Sequence, residues 1–249
     1  MILGVFDSGL GGLTVLREII RKNSFDRIIY LGDTLRLPYG NKNRATLLSY
    51  ARENMDFLLS KGADKVVIAC GTISSNVLDE LKEEYDTDII GIIDVLCEEG
   101  RRQTKNGKIG VIATPATIRT HIFSKKIKDA EVFEIPCERF TPLIEGGKID
   151  SKEMDEAIDE YIGPLKKEGI DTLLLGCTHY PLLADRISAY LGYPIAMVNS
   201  GTVLGDMLST GEKKEPQLEF YVSGDTEDFR KKTALLFDIK GTENVKKMK

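Results

Sequence analysis

Two cysteines, Cys70 and Cys177, are the residues of this chain best placed to do chemistry, because each closes the same short phrase. Gly62-Ala63-Asp64-Lys65-Val66-Val67-Ile68-Ala69-Cys70 is echoed by Gly169-Ile170-Asp171-Thr172-Leu173-Leu174-Leu175-Gly176-Cys177, with Gly, Asp and Cys all offset by 107 residues. Each copy reads as a buried parallel strand, and the C-terminal end of such a strand is where α/β proteins place their reacting groups. A thiolate and a thiol brought to opposite sides of one carbon can remove a proton from one face and return one to the other. Inverting an amino-acid α-carbon is such a reaction. It requires the two sulfurs to hold different protonation states, and their titrations to be coupled.

A free thiol is only about 3% ionised at pH 7. Lowering its pKa by about 1.5 units takes roughly 2 kcal/mol, which a helix N-terminus and a hydrogen-bond partner can supply. Each cysteine is therefore expected to start a helix and to be lowered by it. Partners are close at hand. His179 stands two residues after Cys177, and Asp7 ends the first apolar run, Ile2–Phe6. Asp7-Ser8-Gly9-Leu10-Gly11-Gly12 matches neither a P-loop nor G-x-G-x-x-G, yet its amides suit a carboxylate. Thr72, Thr114, Thr117 and Thr178 sit at expected helix starts, where a cap hydroxyl and free amides also suit one. Pro38-Tyr39-Gly40 is a further turn at a strand end. Cys97 and Cys137 have no counterpart in the repeat and read as small core hydrophobes.

The elements that must position these groups alternate. Hydrophobic periodicity predicts strands over 2–6, 27–31, 65–69, 88–93, 108–112, 131–135, 171–175, 194–198 and 218–222. Between them it predicts helices over 12–22, 44–61, 73–83, 94–104, 115–127, 151–168, 181–191, 201–209 and 226–237, with 32–40 and 136–148 as loops and 211–217 as a polar linker. Ile2–Phe6 also resembles Lys108–Ile112, so the rhythm of the first half recurs in the second. The expected fold is α/β: two similar domains with mostly parallel sheets related by pseudo-symmetry and an active site in the cleft between them. The last strand and helix have no counterpart near residue 110. The expected division is thus 1–95 plus 207–249 for one domain and 96–206 for the other.

Composition narrows the partners. The 249 residues carry 34 basic and 39 acidic side chains, a formal charge of −5, which disfavours nucleic acid. The lysines at 240, 246, 247 and 249 read as a frayed, solvated terminus. No apolar run reaches the roughly 18–20 residues of a membrane span. The chain opens directly on a core strand, so no signal peptide is expected. Four cysteines without a C-x-x-C pair read as reduced thiols, and a cytoplasmic location is expected. With only His121 and His179 as histidines, neither a zinc site nor any other metal is expected, and no cofactor motif is present.

At these residues the chain resembles the cofactor-independent glutamate racemases of the aspartate/glutamate racemase superfamily. The matching stretches are Phe6-Asp7-Ser8-Gly9-Leu10-Gly11-Gly12-Leu13-Thr14-Val15-Leu16, Gly32-Asp33-Thr34, Pro38-Tyr39-Gly40, Ala69-Cys70 and Gly176-Cys177-Thr178-His179-Tyr180-Pro181-Leu182-Leu183, and the resemblance runs from residue 1 to about 210. It implies that Cys70, assisted by Asp7, acts on D-glutamate and that Cys177, assisted by His179, acts on L-glutamate. It implies substrate contacts from Ser8, Pro38, Tyr39, Gly40, Gly71, Thr72, Thr114, Thr117 and Thr178, with Asp33 and Glu145 as acidic groups near the site. It further implies a homodimer and a product, D-glutamate, used in peptidoglycan and cell-wall synthesis.

Two departures stand out. The family usually has Cys-Asn-Thr where this chain has Cys70-Gly71-Thr72, and it has Pro-Gly where Val95-Leu96 follow Gly91-Ile92-Ile93-Asp94. The asparagine side chain contacts substrate, and a lost hydrogen bond costs about 0.5–1.5 kcal/mol unless water or a neighbour replaces it. Other readings remain open: a racemase of the same superfamily acting on aspartate or another amino acid, a non-catalytic amino-acid-binding or regulatory protein, and a hydrolase built on Cys177 and His179. The last leaves Cys70 idle.

Overall fold

The computed structural model describes residues 1–22, 25–211, 215–237 and 239–248. Ten strands among them form two sheets, and every pair is parallel. The strands are β1 (Ile2–Asp7), β2 (Arg27–Gly32), β3 (Lys65–Ile68), β4 (Asp88–Gly91), β5 (Lys108–Ala113), β6 (Glu131–Pro136), β7 (Thr172–Leu175), β8 (Ala196–Asn199), β9 (Gln217–Val222) and β10 (Lys246–Lys247). One sheet runs β10-β9-β2-β1-β3-β4 and the other β6-β5-β7-β8. The four-strand order β2-β1-β3-β4 is thus repeated as β6-β5-β7-β8.

The central strands β1, β3, β5 and β7 are apolar because helices cover both of their faces. All of β7 is buried, as is β3 beyond Lys65. Register carries the repeat to the residue. Phe6 lies opposite Ile68 and Ile112 lies opposite Leu175, so both cysteines emerge beside the end of a central strand. The C-terminal strand β9 returns to the first sheet and pairs with β2.

Several elements differ from expectation. The helix expected over 73–83 is two helices, Gly71–Asn76 and Leu78–Glu84, broken at Val77. There Asn76 turns its side-chain amide back to the Thr72 carbonyl, at 2.9 Å. The helix expected over 115–127 is likewise split, into Pro115–Ile118 and Ile122–Lys126, by His121 in the left-handed region at φ 51°. The Thr120 hydroxyl donates to the Thr117 carbonyl and accepts from the Ile122 amide, which holds that turn.

The strand expected over 88–93 stops at Gly91. Ile92 already opens the helix Ile92–Gln103, its amide donating to Ser74 Oγ at 3.2 Å. The stretch 194–198 pairs only from Ala196 onward. The segment expected as the loop 136–148 contains the helix Phe140–Glu145, anchored by Phe140, whose ring meets Tyr161 and Tyr180 edge-on. The helix expected over 181–191 begins as a 3₁₀ turn, Tyr180–Leu183, before the helix Ala184–Leu191.

The lysine-rich end is not frayed. Buried Val245 leads into β10, and the Met248 amide donates to the Val222 carbonyl at 2.7 Å, while Lys246 and Lys247 keep their side chains in water. Lys249 and residues 212–214 of the expected linker lie outside the described residues. Among the described residues no helix is long and apolar enough to cross a membrane.

Candidate active site

A cavity of about 340 Å³ opens where the C-terminal ends of the two sheets face each other. That volume suits a small molecule. Cys70 and Cys177 both line it, one from each half. So do Ser8, Pro38, Tyr39, Gly40, Gly71, Thr72, Thr114, Thr178 and His179. The remaining expected residues stand just behind the wall. Asp7 is fully buried under the glycine-rich turn, Thr117 is buried with its hydroxyl 3.0 Å from that of Thr114, Asp33 lies beneath Tyr39, and Glu145 backs His179.

The two halves are tied across the cavity floor. Thr14 donates to the Thr178 carbonyl at 2.7 Å, Thr178 donates to Asp7 Oδ1 at 3.3 Å, and the hydroxyls of Thr72 and Thr114 are 2.9 Å apart. Asp7 Oδ2 accepts from the amides of Gly9 and Gly12 at 3.1 and 3.0 Å, so the turn wraps its carboxylate. Burial still raises the Asp7 carboxyl above its ordinary range. The charge of His179, these amides and the Thr178 hydroxyl offset only part of that cost.

The Pro38-Tyr39-Gly40 turn is braced from below. The Tyr39 hydroxyl bonds Asp33, which also pairs with Arg36 at 2.7 Å and accepts from Ser223 Oγ at 2.5 Å. Ser223 follows β9, so the C-terminal segment supports a wall of the cavity.

The sulfurs differ. Cys70 caps the helix Gly71–Asn76, as expected, but its thiol is not lowered. Burial and the neighbouring Asp7 push it up to about 12, and the Ile73 amide and Ser8 hydroxyl recover only part of this. Desolvation in an apolar wall outweighs the one-and-a-half-turn helix. Cys177 leads into a 3₁₀ turn and gains side-chain partners instead: His179 Nδ1 at 3.7 Å and Thr141 Oγ1 at 3.8 Å. His179 Nε2 is 2.9 Å from Glu145 Oε1. Burial opposes protonation of His179, but its bonds to Cys177 and Glu145 and their charges prevail, pushing it up to about 10. Cys177, His179 and Glu145 therefore form a charge-assisted chain at neutral pH.

Sequence reasoning missed part of the lining. Thr141, Cys137, Glu138 and Arg119 all face the cavity. Cys137, read as core, is indeed buried, and its thiol is pushed well up by burial. Thr141 was hidden because its helix was read as loop; the apolar pair Phe140 and Ile144, four apart, was the available signal.

A family model described as Asp/Glu/Hydantoin racemase matches residues 29–204. The chain belongs to this racemase family. One relative, the glutamate racemase of Persephonella marina (strain DSM 14350 / EX-H1), is 43% identical over 226 residues, covering 86% of this chain and 86% of the relative. The structure of glutamate racemase isoform RacE1 from Bacillus anthracis superposes with a TM-score of 0.91 at 30% identity, covering 100% of this chain and 97% of that one. The glutamate racemase of Francisella tularensis subsp. tularensis SCHU S4, solved in complex with D-glutamate, gives 0.86 at 30% identity over 99% of this chain and 97% of that one. The chain is an amino-acid racemase, an isomerase, and its two parallel sheets are those of the racemase structures.

Proposed function

We propose that the chain racemises glutamate by a two-base mechanism, with Cys177 and Cys70 as the catalytic pair and no cofactor. The observation that carries this reading is the delivery of two sulfurs, by equivalent strands of two repeated halves, into one cavity. Burial and the neighbouring Asp7 keep Cys70 protonated, while Cys177 has His179 beside it as its partner. From L-glutamate, Cys177 takes the α-proton: the Cα–H bond breaks and an S–H bond forms. Cys70 then gives its proton to the opposite face, its S–H bond breaking as the new Cα–H bond forms. The reverse sequence serves D-glutamate, with Asp7 assisting Cys70.

Ser8, the Pro38-Tyr39-Gly40 turn, Thr72, Thr114 and Thr178 hold the substrate in this reading, with Thr117, Asp33 and Glu145 supporting them from behind. The D-glutamate bound by the Francisella relative supports the choice of substrate. Residues 1–95 with 207–249, and residues 96–206, are assigned to the two domains, which sheet membership supports. A cytoplasmic homodimer supplying D-glutamate to peptidoglycan completes the proposal, on the sequence resemblance.

Incubation with L- or D-glutamate in deuterated water tests it, read by NMR and circular dichroism. The expected result is α-deuteration with loss of optical activity. Exchange of aspartate but not glutamate would refute the substrate, and no exchange with any amino acid would refute the activity.

A further inference from the structure

β2 and β6 hold equivalent places in the two sheets, but β6 is an edge strand and β2 is flanked by β9. The difference puts the C-terminal segment beside the loop that carries Tyr39 and Gly40 to the cavity. Beyond the last paired residues, Gly32 and Val222, the two segments stay joined. The Ser223 amide donates to the Gly32 carbonyl at 3.2 Å, and the Gly224 amide donates to Thr34 Oγ1 at 3.1 Å. Ser223 Oγ accepts from the Leu35 amide at 3.0 Å and donates to Asp33 Oδ1 at 2.5 Å. One hydroxyl thus serves an amide and a carboxylate at once, which a methyl group cannot do.

Asp33 passes that restraint on. It is fully buried, so each of its carboxylate oxygens needs a donor. Ser223 serves Oδ1, whereas Arg36 at 2.7 Å and the Tyr39 hydroxyl share Oδ2. The Asn54 side-chain amide donates to the same hydroxyl at 3.3 Å. With both oxygens held, the carboxylate is fixed in rotation and the Tyr39 ring is fixed above it. Gly40, the next residue, reaches the other half of the molecule: a Cβ there would lie 3.0 Å from Thr114 Cβ. A turn this close to Thr114 cannot shift without changing the width of the cavity.

We propose that Ser223 is a positioning residue for substrate binding: through Asp33 and Tyr39 it fixes the turn against which glutamate is held. The C-terminal segment, which has no counterpart in the repeat, is then part of the binding apparatus and not only an added strand. This inference rests on the glutamate reading above. The turn meets the substrate in the ground state and the transition state alike. Loosening it weakens both, and the loss shows in KM rather than in kcat.

The test uses Ser223→Ala and Ser223→Thr in the full chain, with initial rates from both enantiomers of glutamate. Ser223→Ala is expected to raise KM at least about fivefold, with kcat within about twofold of wild type. Ser223→Thr keeps the hydroxyl and is expected to hold KM within about twofold of wild type. Tyr221→Phe is the control: it removes the 2.8 Å bond from Tyr221 to Glu219 in the same strand without touching Asp33, and should leave KM unchanged. Wild-type KM in Ser223→Ala, a loss confined to kcat, or an equal rise of KM in Ser223→Thr or Tyr221→Phe would each overturn the proposal. Thr34→Val, which removes the acceptor of the Gly224 amide, guards against a Ser223→Ala that fails to fold. It is expected to raise KM about twofold, and an unchanged KM there would overturn the proposal. Absence of glutamate turnover in the unaltered chain would refute the glutamate reading and this inference with it. Turnover with KM unmoved by Ser223→Ala would refute this inference alone.

Discussion

The two cysteine turns share a backbone plan and differ in electrostatics. β1 and β3 deliver Cys70 as β5 and β7 deliver Cys177, with the same neighbours and nearly the same register. Beyond the strand ends the copies part. Cys70 is followed by Gly71-Thr72 and a helix, and it rests against Asp7 in an environment that keeps its thiol protonated. Cys177 is followed by Thr178-His179 and a 3₁₀ turn, which brings the imidazole between its sulfur and Glu145. Duplicated strands supply symmetry of position. The residues after them give the two sulfurs different partners, Asp7 beside Cys70 and His179 with Thr141 beside Cys177.

The most severe way to break this pairing is to remove either sulfur. Cys70→Ser and Cys177→Ser are each expected to lower net racemisation by about 10³-fold or more, since a serine hydroxyl is a far weaker acid than a thiol. Polarimetry from both enantiomers measures it, and near-full activity in either variant would end the two-base scheme.

Next comes His179→Asn, which should cost about 10²-fold in kcat by removing a charge-assisted partner of Cys177. The same variant has a signature in stability. The folded pKa of His179 is raised from 6.5 to about 10, so its contribution is fully present below pH 6.5 and lost as pH climbs through 10. Melting temperatures of wild type and variant should therefore converge between those values. A constant gap would show that His179 is not held protonated.

The smallest effect sharpens the comparison on the Cys177 side alone. Thr141→Val removes one long contact to sulfur, so a two- to tenfold loss, about 0.5–1.5 kcal/mol, is expected in kcat. If the pH profile moved without any change in rate at the optimum, Thr141 would be tuning the charge on Cys177 and not its position.

Much of this was legible beforehand wherever local sequence decides the outcome. Apolar runs ending in Cys, the helical periodicity of 44–61 and 151–168, and the Asp7 turn all fold as read, because buried parallel strands and amphipathic helices write their pattern into consecutive residues. Breaks in helices were less legible. The breaks at Val77 and His121 come with the preceding Asn76 and Thr120 side chains bonding back to backbone, a choice that pattern alone does not record.

By itself the sequence determined that there are two matched cysteines, which strands carry them, and which residues follow each one. Tertiary structure alone decided the acid–base character of Cys70 and how closely the two cysteine-bearing turns approach. Burial against Asp7 turned an expected lowering of the Cys70 thiol into a rise, since desolvation depends on everything packed around the sulfur. The Gly71–Gly176 contact joins residues more than a hundred positions apart, and only the packing of one half on the other brings them within reach.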